Sequence, residues 1–136
     1  EKGFTDITLI DISPVVVEQV RQRFVGNEAC LKIVCADFFD WKEPFDLILE
    51  QTFFCALDPA LRPAYAQQMH DLLRPGGILA GVLFNRAFEG GPPFGGSINE
   101  YRSLFEPLFH IKTLEVCYNS IAPRKDAEAF IQLIRK

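Results

Sequence analysis

The amino-acid sequence predicts an α/β fold in which parallel strands alternate with helices and the last two strands pair antiparallel. Four short apolar runs have the composition of parallel strands that are covered on both faces. They span residues 7–12, 31–35, 45–50 and 78–84. Segments with helical spacing separate most of the strands, at residues 14–25, 60–73 and 98–108. No helix separates the last two predicted strands, residues 110–118 and 127–134, so we expect them to be antiparallel neighbours.

The first predicted strand carries an acidic residue near its end and passes directly into a helix. Its apolar run, residues 7–12, contains Asp11. Ser13 is a favourable N-cap, and Pro14 takes the first helical position, where a missing N–H costs nothing. We therefore expect Asp11 at the carboxyl edge of the sheet, where open α/β folds bind ligands and where an acid often accepts hydrogen bonds from ribose hydroxyls.

The opening of the chain has the pattern of a helix end rather than of a first strand. Glu1 and Lys2 precede Gly3, a residue type that commonly follows the last turn of a helix. A parallel sheet rarely starts in this way, so we expect that a first strand, a glycine-rich turn and a first helix are missing ahead of this segment. We interpret the 136 residues as one N-terminally truncated domain.

Composition and charge argue against several classes of protein. A net charge of -4 does not suit binding driven by the phosphates of a nucleic acid. No apolar run is long enough to cross a bilayer, and the start lacks the pattern of a secretion signal. The four cysteines form no CxxC pair and lie in or beside apolar segments, so we expect buried free thiols in a cytoplasmic protein. His70 and His110 have no companions at ligand spacing, so no metal site is predicted.

Three successive predicted strands end in an acid, at Asp11, Asp37 and Glu50. One carboxylate can accept hydrogen bonds from both ribose hydroxyls. A second can accept from an adenine amino group while a neighbouring aromatic such as Phe38 packs on the ring, although a core position is the alternative for any one phenylalanine. A third favours a cationic ligand. The pattern indicates a nucleoside-type ligand with a positive centre, such as an adenosyl sulfonium.

A glycine- and proline-rich loop, residues 85–96, follows the fourth predicted strand. It carries Arg86 and two phenylalanines, Phe88 and Phe94. Loops of this length without regular structure are usually functional or disordered. Because this loop leaves the sheet at the expected ligand edge, we interpret it as a lid over a substrate.

Five segments carry motifs of one known family. They are FDLILEQTFFCAL at residues 45–57, LRPAYA at 61–66, LRPGG at 73–77, GGPPF at 90–94 and APRK at 122–125. Together they resemble the thiopurine S-methyltransferase family, and its thiol and halide methyltransferase branch in particular. The combination of Thr-Phe-Phe-Cys-Ala-Leu with Gly-Gly-Pro-Pro is specific, and the resemblance covers nearly the whole chain. It implies a Rossmann-like class I methyltransferase sheet.

The resemblance also implies a function: transfer of a methyl group from S-adenosyl-L-methionine to a soft nucleophile such as a thiol, a thiopurine or a halide-like anion. Asp11 would bind the ribose hydroxyls, Ile12 would pack on adenine, and Asp37 with Phe38 would hold its polar edge and face. Glu50 and Gln51 would line the methionine end of the cofactor and the acceptor pocket. The acceptor would meet Phe54, Arg86 and Phe94. No catalytic acid or base is implied, because in-line placement of the reacting groups does most of the work.

Two other functions are compatible with the sequence. A nicotinamide-dependent oxidoreductase also ends its second strand in a ribose-binding acid, although the antiparallel C-terminal pair and the Gly-Gly-Pro-Pro segment speak against it. A truncated, catalytically incompetent domain would instead act by self-association, because exposed sheet edges invite pairing with another chain. The expected partners are therefore a small-molecule acceptor and, through those edges, a second copy of the chain.

Overall fold

The computed structural model describes residues 3–26 and 29–136, which form two compact units. The first unit lies within residues 1–42 and the second within residues 43–136. Glu1 and Lys2 lie outside the described residues, and so does most of the helix end that we expect at the start of the chain. The expectation of a single domain stays a prediction.

The first unit consists of two parallel strands and the helix that connects them. The strands β1 (Ile7–Asp11) and β2 (Leu31–Cys35) pair in register, and α1 (Pro14–Arg23) lies between them in sequence. The predicted cap of α1 is confirmed, since the Ser13 Oγ accepts a hydrogen bond from the Val16 amide at 3.3 Å and Pro14 opens the helix. The local pattern of cap and proline was therefore sufficient to locate this helix start.

The second unit is built on a mixed sheet of four strands. Its first two strands, β3 (Phe45–Gln51) and β4 (Leu73–Phe84), are parallel neighbours. The last two, β5 (Phe109–Val116) and β6 (Glu128–Arg135), are antiparallel neighbours, which confirms the predicted C-terminal pair. Because β6 also pairs antiparallel with β4, the order across the sheet is β3–β4–β6–β5.

The start of β4 differs from the prediction. We expected the segment Pro75-Gly76-Gly77 to separate a helix from a strand that starts at Ile78, but β4 begins at Leu73. Leu73 pairs with Phe45, the register then shifts, and regular pairing continues from Ile78. The pairing of the fully buried Leu73 with Phe45 adds this segment to the strand, and Gly76, with a φ of +75°, lies within the irregular stretch.

Two helices accompany this sheet, α2 (Arg62–Leu72) and α3 (Ile98–Phe105). The predicted helix at residues 60–73 is confirmed with narrower limits. It starts later because a short 3-10 turn, Pro59–Leu61, precedes α2, and it ends one residue earlier because Leu73 already belongs to β4. The predicted start of α3 after Ser97 is also confirmed. Within the described ranges, no helix combines the length and apolar character that crossing a membrane requires. The expected cytoplasmic location stays a prediction.

Aromatic side chains make up the core of the second unit. The members with 1% or less of their surface exposed are Phe54, Tyr65, Tyr101, Phe105 and Phe109. The Phe54 ring meets Tyr65 and Tyr101 edge to face, with centroids 5.0 and 5.6 Å apart. Such pairs add about 0.5–1.5 kcal/mol each beyond the area that they bury. The core therefore joins the turn after β3 to both helices.

Candidate active site

Asp11 and Asp37 lie at the same edge of the first unit's sheet. Asp11 ends β1 opposite Cys35, the last residue of β2, and its carbonyl accepts a hydrogen bond from the Ala36 amide at 3.1 Å. Asp37 follows directly in sequence. Because the two strands are parallel and in register, the structure brings the first two predicted acids to one carboxyl edge.

The Asp11 carboxylate has one oxygen committed and one available. Its Oδ1 accepts a hydrogen bond from the Ser13 amide at 2.7 Å, which orients the side chain at the start of α1. Within residues 3–26 and 29–136, Oδ2 receives no hydrogen bond. Ile12, beside it, is 70% exposed. A free carboxylate oxygen next to an exposed apolar side chain fits a ribose hydroxyl attached to a flat ring.

Asp37 and Phe38 form a similar pair at the end of β2. Asp37 caps the 3-10 turn Phe38–Asp40, and its Oδ1 accepts a hydrogen bond from the Phe39 amide at 2.8 Å. The partly buried Phe38 ring contacts Phe39 edge to face, with centroids 5.1 Å apart. The carboxylate again has one oxygen tied to a local amide, so this edge offers the acceptor groups and the apolar surface that an adenosyl group requires.

Glu50, the third predicted acid, is a buried carboxylate with both oxygens engaged. Only 4% of its surface is exposed. Its Oε1 accepts hydrogen bonds from the Phe53 and Phe54 amides, both at 3.0 Å, and its Oε2 accepts one from the Tyr65 hydroxyl at 2.8 Å. Burial raises the pKa of this carboxyl, and the three hydrogen bonds oppose the rise. The side chain therefore holds the turn after β3 together.

A pocket opens beside Glu50, at the carboxyl ends of β3 and β4. Its walls come from the turn after β3, the end of β4 and the connection into β6: Glu50, Gln51, Thr52, Cys55, Val82, Leu83, Phe84, Arg124 and Glu128. The Arg124 guanidinium lies 5.3 Å from the Phe84 ring centroid and donates to Glu128 Oε1 at 3.2 Å. The pocket is small, with a cavity volume of about 10 Å³, and it combines apolar walls with a half-buried cation and two carboxylates, Glu50 and Glu128.

Thr52, in the same pocket, has an unusual backbone. Its φ of +68° lies in the left-handed region, which is rare for a β-branched residue. Strain of this kind concentrates at functional sites. Sequence reasoning assigned no role to Thr52 or to Arg124, although Arg124 belongs to one of the segments that carried the family resemblance. Its place follows from the pairing of β6 with β4, which brings the connection before β6 to the carboxyl end of β4.

Cys55 contributes a wall rather than a nucleophile. It is buried, and its thiol contacts the Thr52 carbonyl at 3.3 Å. Burial, and next the nearby Glu50 carboxylate, raise the pKa of this thiol. Since the thiolate is the reactive form, these surroundings keep the side chain unreactive.

The loop of residues 85–96 is fastened next to the pocket. The Phe94 amide donates to the Cys55 carbonyl at 2.6 Å, and the Gly96 amide donates to the Arg86 carbonyl at 3.0 Å. The exposed Arg86 side chain lies over the Phe88 ring, 4.8 Å from its centroid. Phe88 in turn packs against Phe84 of the pocket wall, with centroids 4.9 Å apart. Arg86 and Phe94 are therefore neighbours of the pocket but are not among its lining residues.

Phe54 occupies a different place from the one that the family resemblance implies. It is 1% exposed and packs in the aromatic core. A contact with an acceptor would require its ring to leave that cluster. Its assignment to the acceptor site stays a prediction, and the structure offers it a packing role instead.

Comparison with known proteins agrees with the sequence motifs. Residues 2–134 match the family model for thiopurine S-methyltransferase (TPMT). The chain is 39% identical over 126 residues to a protein of Arabidopsis thaliana described as probable thiol methyltransferase 2. It is 34% identical over 125 residues to thiocyanate methyltransferase 1 of Brassica oleracea. Each alignment covers 88% of this chain and 55% of the relative, so the chain spans about half the length of these curated relatives.

A solved structure supports the fold. The N-methyltransferase NodS from Bradyrhizobium japonicum WM9, in complex with S-adenosyl-L-homocysteine, superimposes with a TM-score of 0.66 and 17% identity. The match covers 96% of this chain and 66% of NodS. At this identity the likeness concerns the fold alone. It confirms the predicted α/β class I methyltransferase fold with a mixed sheet.

Proposed function

Because the chain belongs to the thiopurine S-methyltransferase family, we propose that the protein transfers a methyl group from S-adenosyl-L-methionine to a soft nucleophile. The observation that carries the proposal is the match of residues 2–134 to the family model. A small cleft at the sheet edge where α/β folds bind ligands, with a cavity volume of about 10 Å³, marks where the reacting groups would meet. Family membership favours this function over the nicotinamide-dependent alternative. The names of two relatives suggest a thiol or thiocyanate as the acceptor.

In this proposal, the cofactor is held by Asp11, Ile12, Asp37 and Phe38. Bound S-adenosyl-L-methionine supplies a methyl group on a cationic sulfur. Asp11 Oδ2 would accept hydrogen bonds from the ribose hydroxyls, and Ile12 would pack on the adenine. Asp37 and Phe38 would hold the polar edge and a face of the same ring. Among the described residues, Asp11 Oδ2 and the exposed Ile12 side chain are available for these roles.

The end of β3 would line the methionine part of the cofactor. Gln51 is exposed at this position and has an amide that can donate and accept hydrogen bonds. Glu50 would act on the cofactor only indirectly, since both of its oxygens already accept hydrogen bonds from Phe53, Phe54 and Tyr65. The charge of the buried carboxylate still favours a cationic ligand nearby.

Arg124 would hold the acceptor. A soft anion needs no general base, so its rate depends on placement and on the removal of water. The Arg124 guanidinium, which also pairs with Glu128, has further N–H groups that can attract an anion or stabilise a developing thiolate, and Val82, Leu83 and Phe84 would exclude water from it. Arg86 and Phe94, on the neighbouring loop, would cover the acceptor from above.

The first test is calorimetric titration of the full-length protein with S-adenosyl-L-homocysteine. We expect micromolar binding that Asp11→Ala weakens at least tenfold. Asp6→Ala, which removes an exposed carboxylate a few residues away, is the matched control and should leave the affinity unchanged. Absence of binding to the unmodified protein would contradict the proposal and favour a non-catalytic domain.

The second test is methyl transfer from labelled S-adenosyl-L-methionine to thiocyanate, iodide, hydrosulfide, benzenethiol and 6-mercaptopurine. We expect a methylated product with at least one of them. Cofactor binding without transfer to any of these acceptors would overturn the soft-nucleophile assignment while leaving the cofactor assignment in place. Sedimentation of the same preparation measures the predicted self-association.

A further inference from the structure

Arg62 is a buried cation that connects three parts of the second unit. It is the first residue of α2, and only 6% of its surface is exposed. Its Nη1 forms an ion pair with Glu100 on α3, and its Nη2 donates to the Gly95 carbonyl at 2.6 Å. The guanidinium also lies 4.9 Å from the Phe54 ring centroid. One side chain thus reaches the second helix, the glycine-rich loop and the aromatic core.

Stability alone is a poor explanation for this arrangement. Within the part of the chain that the structure describes, the buried Arg62 Nε has no hydrogen-bond partner, and an unsatisfied buried donor costs free energy. Replacing a buried ion pair by apolar side chains of similar volume is often neutral or stabilising. A planar guanidinium, in contrast, fixes geometry, because its donors lie in a rigid fork.

Arg62 holds the Gly95 carbonyl, which lies where the two ends of the loop of residues 85–96 come together. Gly95 lies between Phe94, whose amide is bound to the Cys55 carbonyl, and Gly96, whose amide is bound to the Arg86 carbonyl. The closure is tight, since a Cβ at position 95 would lie 1.9 Å from the Arg86 carbonyl oxygen. Arg62 therefore acts on the segment that ties Arg86 and Phe94 to the pocket wall at Cys55.

We propose that Arg62 is a positioning residue, which fixes the loop of residues 85–96 against the pocket and thereby sets the affinity for the methyl acceptor. The proposal rests on the function proposed above. Arg62 acts through the Gly95 carbonyl rather than by touching the acceptor. Its loss should therefore raise the acceptor KM and release the loop, while the affinity for the cofactor product stays the same.

The test compares Arg62→Met and Arg62→Lys with Arg74→Met in the full-length protein. Arg74 is a suitable control because its side chain is half exposed and pairs with Asp46 at 2.8 Å on the surface. Hydrogen exchange of the Phe94 and Gly96 amides reports the loop. The kcat and KM for benzenethiol and thiocyanate report the acceptor, and titration with S-adenosyl-L-homocysteine reports the cofactor site.

We expect Arg62→Met to speed exchange of both amides at least tenfold and to raise the acceptor KM at least fivefold. The kcat and the affinity for S-adenosyl-L-homocysteine should change less than twofold. Arg62→Lys should change exchange and KM in the same direction but by less. Its ammonium keeps the positive charge, but it lacks the planar set of donors that contacts Glu100 and Gly95 together. Arg74→Met should change none of these quantities. If Arg62→Met does not fold, Glu100→Gln removes the partner of the ion pair and should change exchange and KM in the same direction.

Unchanged exchange in the variants would overturn the positioning role. A fall in kcat at constant KM would also overturn it, because a purely structural residue lowers the amount of active protein and not the affinity for the acceptor. Hydrogen exchange is measured without any acceptor. If the protein transfers no methyl group, the predicted effect on the acceptor KM falls away, and the exchange rates still test whether Arg62 fixes the loop.

Discussion

The Tyr65 hydroxyl donates a hydrogen bond to Glu50 Oε2 at 2.8 Å, and this bond joins α2 to the end of β3 inside the core. Tyr65 is fully buried and Glu50 is 4% exposed. Burial, and next the Glu50 carboxylate, raise the pKa of Tyr65 well above its ordinary value, so the phenol stays protonated and remains a donor. The pocket wall beside Glu50 therefore depends on a side chain of the following helix.

Removal of that donor should destabilise the protein. In Tyr65→Phe the ring still packs, but one oxygen of a buried carboxylate loses its partner, which costs about 1–3 kcal/mol. Urea unfolding measures the change in the free energy of unfolding, provided that the m-value is the same for both proteins. Tyr118→Phe removes the hydroxyl of a tyrosine that is 82% exposed and should leave the free energy of unfolding unchanged. Equal stability of both variants would contradict the structural role of the bond.

The Glu50 carboxyl should also make stability depend on pH. Burial raises its pKa in the folded protein above the ordinary 4.5, so the folded state binds this proton more tightly than the unfolded state. The contribution to stability is then fully present below pH 4.5 and is lost as the pH rises through the raised pKa. Relative to Glu50→Gln, which carries no charge at any pH, the unmodified protein should lose stability over that interval.

Urea unfolding of both proteins from about pH 4 to about pH 8 measures this difference. Glu89→Gln, which removes a carboxylate from the exposed loop, controls for the loss of one charge. The two proteins are compared by their free energies of unfolding. If the difference stays constant, or if the unmodified protein gains stability relative to Glu50→Gln as the pH rises, burial does not dominate the pKa of Glu50.

The cap of α3 is the subject of a third prediction. Ser97 Oγ accepts a hydrogen bond from the Glu100 amide at 3.3 Å. Ser97→Ala should therefore cost about 1 kcal/mol of unfolding free energy. Ser103, on the same helix, instead donates to the Asn99 carbonyl at 3.2 Å, and Ser103→Ala should be neutral or slightly stabilising because alanine is the better helix former. Similar losses in both variants would contradict a capping role for Ser97.

Features that depend on neighbours in sequence could be predicted. Ser13 and Ser97 each precede a helix pattern, and both are the caps of the helices that follow. Asp11 ends one apolar strand and Asp37 lies two residues after the end of the next, so the place of each acid at a strand end could be predicted from its neighbours. In both cases the physical cause acts within a few residues. The expectation of buried thiols is met at Cys55 and Cys117 but is wrong at Cys35, which lies exposed at the end of β2.

Features that depend on distant partners could not be predicted. The Glu50 carboxylate is occupied by Tyr65, fifteen residues later in the sequence, and no local pattern distinguishes that from a carboxylate free for a ligand. Phe54 belongs to a motif, but its burial depends on Tyr101 and Phe105 of α3. Arg124 reaches the pocket because β6 pairs antiparallel with β4, which no periodicity within residues 122–125 reveals.

Arg124 leads to the last prediction, which separates charged from neutral acceptors. Its half-buried guanidinium in the pocket should attract an anion more strongly than a neutral thiol, since partial burial weakens screening by water. We expect Arg124→Met to raise the KM for thiocyanate about tenfold, which corresponds to about 1.4 kcal/mol. At a pH below the pKa of benzenethiol, where this thiol is neutral, the same variant should raise the KM for benzenethiol by less. Lys125→Met removes the adjacent exposed cation and should change neither KM. If both variants raise the KM for thiocyanate equally, long-range attraction recruits the anion, and contact in the pocket does not. A higher salt concentration would then reduce the two increases in KM alike.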